Sequence, residues 1–175
     1  LITAYTDNPY QKAFDALNRE ELKKLIADKT PGMDEIGPKG ETLLMQAVRT
    51  DRLAEANMLL AAGADTSPLS HDGFSIMHIA AEHGRSDTIK KLIQKGHDPS
   101  ERHTDGLTPL HRACMGTEAE HAAAVYMLLY HGVSPLELTT HGEYPVQIAA
   151  SQDTRDVIHE FLRLRRAEAK ARRSG

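Results

Sequence analysis

The chain has 175 residues, 40% hydrophobic and only 5% aromatic, with a net charge of −4 and one cysteine. That content can bury a continuous core, one cysteine excludes an internal disulfide, and no apolar run reaches the roughly 18 residues of a membrane span or resembles a secretory leader. The charge is unevenly placed: residues 163–173 hold Arg163, Arg165, Arg166, Lys170, Arg172 and Arg173 against Glu168 alone, a local +5 that leaves −9 on residues 1–162. An acidic body argues against wrapping nucleic acid along it, because neutralising phosphates requires Lys and Arg clustered on the contact face.

In chain order, Asn8-Pro9 is a helix start. It is followed by Ala13–Ile26, which equals Ala80–Ile93 in length and shares its Lys-Lys-Leu-Ile ending. Four copies of one pattern come next: Gly40-Glu-Thr-Leu-Leu-Met-Gln-Ala-Val, Gly73-Phe-Ser-Ile-Met-His-Ile-Ala-Ala, Gly106-Leu-Thr-Pro-Leu-His-Arg-Ala-Cys and Gly142-Glu-Tyr-Pro-Val-Gln-Ile-Ala-Ala. Each opens a short helix and leads to a second one: Ala54–Leu60, Asp87–Ile93, Ala122–Leu129 and Thr154–Leu162. Gly63, Gly96 and Gly132 stop the first three of these, as a glycine in the left-handed conformation does. Val157, Ile158, Phe161, Leu162 and Leu164 give the last helix one apolar stripe, after which alanines alone interrupt the charges. The turn glycines recur at spacings of 33, 33 and 36 residues, and a fixed period in that range means that one small unit is stacked repeatedly.

The pattern resembles the ankyrin repeat, a turn followed by two antiparallel helices, opened by Thr-Pro-Leu-His and closed by Gly-Ala-Asp. Thr108-Pro109-Leu110-His111 carries the opening in full, and Gly63-Ala64-Asp65 the closing. Gly96-His97-Asp98 and Gly132-Val133-Ser134 match the closing loosely. The resemblance implies an all-α solenoid of about five helix-turn-helix units joined by β-turn or hairpin loops. It forms one domain over 1–175: a degenerate N-terminal cap 1–36, repeats 37–69, 70–102 and 103–138, a C-terminal cap 139–164, and a basic helical tail 165–175. Two departures stand out. Leu43-Leu44-Met45 replaces Pro-Leu-His, and three extra residues lie within Met115–Ala124.

The same resemblance implies a concave face of turn tips and first-helix positions that recognises a protein partner. Carried over, the binding set is Glu41, Arg49, His71, Asp72, Phe74, Glu82, His83, Asp105, Leu107, Met115, His141 and Glu143. Phe74 and Leu107 follow equivalent turn glycines and would form an apolar centre, with Met115 near Leu107 and with Glu41 and Glu143 as an acidic rim.

Other chemistries find little support. Nine of the twelve glycines are turn, helix-end or interhelix residues, which leaves no phosphate-cradling loop. Cys114 and His111 invite a nucleophile-and-base reading, yet Cys114 stands where sister units have Ala81 and Ala150, so a buried inert thiol is expected. His78 and His111 hold the family's own histidine position, where the ring links neighbouring turns. His71, His103 and His141 fall on successive turn tips, spaced on the order of 10 Å as packed helices are, whereas zinc ligands must converge to about 2.0–2.3 Å. No catalytic residue, cofactor or metal is therefore expected, nor an enzyme, a small-molecule substrate or a specific nucleic-acid partner. Residues Arg163–Arg173 read as a solvated helical extension with at most weak polyanion contact. The expected function is a non-catalytic protein-binding module. The alternatives are an accessory subunit docked permanently in a larger assembly, or a regulatory domain of a longer protein. Cytoplasm or another soluble interior is the expected location, although a start at Leu1 leaves room for a removed leader.

Overall fold

Ten helices and no strand occur among residues 7–174, the part of the chain that the computed structural model describes. They are α1 Pro9–Asp15, α2 Arg19–Ala27, α3 Leu43–Arg49, α4 Leu53–Ala62, α5 Ile76–Glu82, α6 Ser86–Gln94, α7 Pro109–Cys114, α8 Ala119–Tyr130, α9 Pro145–Ile148 and α10 Gln152–Ser174. The expected cap and tail also include residues 1–6 and 175, which lie outside the described residues. Each second helix is longer than its apolar pattern suggests. Arg52, Arg85 and Glu118 precede α4, α6 and α8 without a capping side-chain bond, and apolar periodicity does not mark such ends.

Every turn is built alike. Its first residue donates its N–H to the carbonyl four positions on, and its glycine donates back to that first residue. The pairs are Gly37 to Glu41 (2.9 Å) with Gly40 to Gly37 (2.8 Å), Ser70 to Phe74 (2.9 Å) with Gly73 to Ser70 (2.8 Å), His103 to Leu107 (3.0 Å) with Gly106 to His103 (2.8 Å), and Thr139 to Glu143 (2.9 Å) with Gly142 to Thr139 (3.0 Å). Gly106 has φ +81°, and a Cβ there would run into the side chain of Thr140. Glycine is needed at this point both for its backbone conformation and for the close approach of the next turn.

The chain divides inside α5 into two compact units, residues 1–79 and 80–175. In the first, α1 packs on α2, α3 on α4, and α2 on α4, burying Tyr10, Phe14, Leu22, Leu44, Met45 and Leu59. Asn8 caps α1, accepting from the N–H groups of Tyr10 (2.8 Å) and Gln11 (3.2 Å), and its amide donates to the Gly32 carbonyl (2.7 Å). The carboxylate of Glu55 is buried between Arg19 (2.9 Å) and Arg52 (3.1 Å). Arg52 also lies over the Phe14 ring, 3.5 Å from its centroid, and donates to the Phe14 carbonyl (2.5 Å). Burial alone would raise the Glu55 carboxyl, but the hydrogen bonds from Arg19 and Arg52 and the charge of Arg52 hold it below the usual range. A buried carboxylate persists only with such partners.

In the second unit, α8 packs against α6, α7 and α10, while α9 packs on α7 and α10. Ile89, Leu92, Leu110, Leu128 and Ile158 are fully buried there. The tail expectation is extended in one respect: residues 163–173 continue α10 without a break, and all are exposed.

Two measurements test this packing. Leu92→Ala or Leu128→Ala should each cost about 2–5 kcal/mol in denaturant unfolding, as buried large-to-small changes do. Deleting residues 1–36 removes Arg19 from Glu55 and Phe14 from Arg52, so the melting temperature should fall by at least about 5 °C. An unchanged melt would mean that α1 and α2 add nothing to the core.

Candidate functional site

The opening of each first helix sets where the turn-tip residues point. Thr42 Oγ1 accepts from the Met45 N–H (3.3 Å), Ser75 Oγ from the His78 N–H (3.4 Å) and Thr108 Oγ1 from the His111 N–H (3.5 Å). A hydroxyl at the helix start satisfies an N–H that the helix cannot. At the fourth opening the residue is Tyr144, where Gln147 Oε1 accepts from the Tyr144 N–H at 2.7 Å and α9 runs for only 4 residues.

His111 carries this order into the next turn. Its Nδ1 accepts from the Thr108 N–H at 3.1 Å, which fixes Nε2 as the protonated nitrogen, and Nε2 donates to the Glu137 carbonyl at 3.0 Å. Burial, assisted by the charge of Arg102, pushes the imidazole below its ordinary value despite the opposing pull of Glu137. His78 begins the same arrangement, with Ser75 Oγ 3.0 Å from Nδ1. Cys114 is also buried, which drives its thiol up to about 12. A thiol that stays protonated is a poor nucleophile.

In the first compact unit the expected site residues divide. His71 and Asp72 are exposed at the turn tip, and Phe74 is half-buried, its ring centroid 6.3 Å from that of His78. Glu41 departs from the expectation of a water-facing rim acid: it is buried and ion-paired with Arg49, whose Nε donates to it at 2.8 Å. The two line a groove with Phe14, Lys39 and Gln46. What distinguishes Glu41 from Glu143, whose carbonyl closes its turn in the same way but whose side chain is exposed, is Arg49, which compensates the buried charge.

In the second unit Asp105 lies at the turn tip with an organised neighbourhood. It accepts from the Leu107 N–H (2.9 Å), is ion-paired with Arg112, and lies 3.1 Å from His103 Nδ1. Partial burial opposes ionisation, but the Leu107 N–H, His103 and the Arg112 charge outweigh it and hold the carboxyl below its usual range. Leu107 is half-buried rather than openly exposed, and so the expected apolar centre presents less surface than its sequence position suggests. Met115 is 52% exposed, and His141 and Glu143 are fully at the surface. Glu82 and His83 are half-buried at and just past the end of α5.

The three extra residues of Met115–Ala124 do structural work. They bring His121 over Gly84 and Gly116, where its buried ring donates from Nε2 to the Glu82 carbonyl at 2.9 Å. A Cβ on Gly116 would collide with that ring, and one on Gly84 would meet the backbone of Glu120 and His121 at 2.9 Å.

Four helix-opening turns, a hydroxyl cap at three of them and a histidine that reaches the following turn define a repeat in three dimensions as well as in sequence. The profile of ankyrin repeats, three copies, matches residues 11–103 and again 77–172. The chain belongs to the ankyrin-repeat family. It is 34% identical over 96 residues to the Notch-regulated ankyrin repeat-containing protein of Xenopus tropicalis, covering 53% of this chain and 84% of that protein. The human protein of that name is likewise 34% identical over 93 residues, 51% of this chain and 82% of the relative. Inversin of Gallus gallus is 31% identical over 123 residues, 70% of this chain but 11% of inversin. Ankyrin repeats serve in general as protein-interaction modules.

Sequence reading of this ankyrin array missed several surface groups. Ile36, Leu69 and Leu138 are exposed at one shared position, immediately before a turn. The third turn has Arg102 there instead. Arg102 donates to the Gly106 carbonyl (2.7 Å) and the Leu138 carbonyl (3.2 Å) and pairs with Glu137 (2.9 Å). The repeat register marks this position, one residue before each turn's first residue, as equivalent in all four repeats. Tyr126 and Tyr130 are also exposed, stacked 6.1 Å apart on α8.

Because His111 is depressed in the folded state, its contribution to stability is complete above the ordinary histidine value of about 6.5 and is lost as pH falls through the lower folded value. Urea unfolding at pH 7.5 and pH 5 should therefore show a loss on acidification that His111→Gln reduces. An identical loss in both proteins would take His111 out of the acid response.

Proposed function

We propose that this ankyrin array is a non-catalytic module that binds a protein partner through its turn tips and first-helix positions. Residues Glu41, Arg49, His71, Asp72 and Phe74 serve in the first compact unit, and Glu82, His83, Asp105, Leu107, Met115, His141 and Glu143 in the second. The observation that carries this reading is the identical construction of the turns. Phe74 and Leu107 both supply the carbonyl that closes a turn, so each side chain is held at a fixed point with part of its apolar surface in water. Partly exposed, rigidly placed apolar and aromatic groups among charges are typical anchors of a protein interface.

A second reading, an accessory subunit docked permanently in a larger assembly, is favoured by the exposed Tyr126–Tyr130 stack on α8. Size exclusion of the native material distinguishes the two, since a transient binder runs free and a docked subunit does not.

The test of the first reading is affinity. After a partner is captured and identified by mass spectrometry, Phe74→Ala combined with Leu107→Ala should weaken its binding by at least about 2 kcal/mol, the size of a hot-spot loss. Lys90→Ala with Lys91→Ala on α6 should leave it unchanged. Because both apolar residues are half-buried, calorimetry must first show the double variant folded at the assay temperature. Normal binding by a folded Phe74/Leu107 variant, with loss in the α6 variant, would move the interface to the second helices.

A further inference from the structure

The exposed part of α10 carries its charge on a definite side. Arg163, Arg166, Lys170 and Arg173 follow one another at intervals of three, four and three residues, the spacing that places side chains on one face of a helix. The row spans on the order of 15 Å at 1.5 Å per residue. Arg165 and Arg172, seven residues apart, lie on the opposite side, and the Arg165 guanidinium is 5.2 Å from the Phe161 ring centroid. At its N-terminal end the row meets a notch lined by His159, Leu162, Arg163 and Arg166. Arg163 is fixed there by two hydrogen bonds to Glu160 (2.7 and 2.6 Å), and Leu162 is the one apolar side chain among the four.

We propose that this row and notch form a second docking surface, distinct from the turn face, for an acidic linear segment of a partner protein carrying an apolar anchor residue. The carboxylates lie along Arg166, Lys170 and Arg173, and the anchor enters the notch against Leu162. Charge complementarity selects an anionic occupant, and the notch selects among anions. A membrane surface demands a broad apolar face along the helix, which alanines and Leu164 between charges do not supply. A nucleic-acid backbone would follow the cations but has no use for the apolar side chain of Leu162 in the notch. An acidic peptide with a hydrophobic residue uses both features, an apolar anchor inside a polar rim.

The test uses the full chain and fluorescence anisotropy. The probes are a labelled peptide of glutamates interrupted at its centre by two leucines, its all-glutamate counterpart, a labelled oligouridylate of equal length, and phosphatidylserine vesicles. The leucine-containing peptide should bind tightest. Arg166→Glu with Lys170→Glu should weaken it by at least about tenfold, while Arg165→Glu with Arg172→Glu, an equal change of net charge on the other side, should alter it by less than about threefold. Equal losses from the two pairs would mean bulk attraction and overturn the proposal. So would indifference to the leucines, or tighter binding of the oligouridylate or the vesicles. The turn-face residues are unchanged in every variant, so failure here is separable from failure of the function proposed above.

Discussion

A helix pair of this size buries one side against its partner and leaves the other side apolar, so a repeat is stable only where its neighbour completes it. The turn is where that dependence becomes specific. Apolar packing between short helices is tolerant of small slides, whereas a hydrogen bond from a buried ring to a named carbonyl is not. The bond from His111 to the Glu137 carbonyl, with Nδ1 already committed to the Thr108 N–H, fixes the following turn relative to the helix it follows. Arg102 makes the same connection at the surface through the Gly106 and Leu138 carbonyls. Gly106 leaves the space that allows the turns to come this close. At Gln147, which stands in the histidine's place, α9 runs for only 4 residues and its end at Ala149 is already extended, whereas α3, with Met45 at the same position, keeps 7 residues.

The period was legible because turn glycines and helix-ending glycines are dictated by backbone sterics, which hold wherever the unit recurs. The lengths of the second helices were not, because caps such as Glu118 at the start of α8 leave no apolar trace. Glu41 was placed at the surface by register alone. Its burial depends on Arg49, eight residues away, and pairwise compensation of charge is a property of the folded geometry. Glu55 illustrates the same limit more sharply, since a glutamate on a second helix reads as solvated until Arg19, thirty-six residues earlier in the chain, is seen to reach it.

The insertion in the third full repeat shows how a tolerated change becomes a structural one. Extra loop residues cost little in chain entropy, roughly 0.6 kcal/mol for each doubling of length, so their presence alone says nothing. What they contain decides the matter. His121 is buried, accepts the steric room left by Gly84 and Gly116, and satisfies the Glu82 carbonyl just past the stretch where α5 can do so itself. The lengthened stretch, which places His121 in the first turn of α8, has thus become a brace for the end of the preceding first helix, which a surface loop of the same length would not supply.

The proposed turn face is rich in charge, yet much of that charge is already engaged. Asp105 is held by Arg112, His103 and the Leu107 N–H, and Glu41 by Arg49. A partner that paired with these groups would have to displace internal bonds of similar strength, and the net gain from such an exchange is small. Their effect is instead to hold the turn tips in one arrangement before any partner arrives, which lowers the entropy that binding must overcome. On the proposed reading, the free energy of association on this face comes mainly from apolar surface left in water: the exposed Met115 and the water-facing parts of Phe74 and Leu107. Under that proposal, charge at the tips would set which partners are rejected, and the few apolar groups beside them how tightly an accepted one is held.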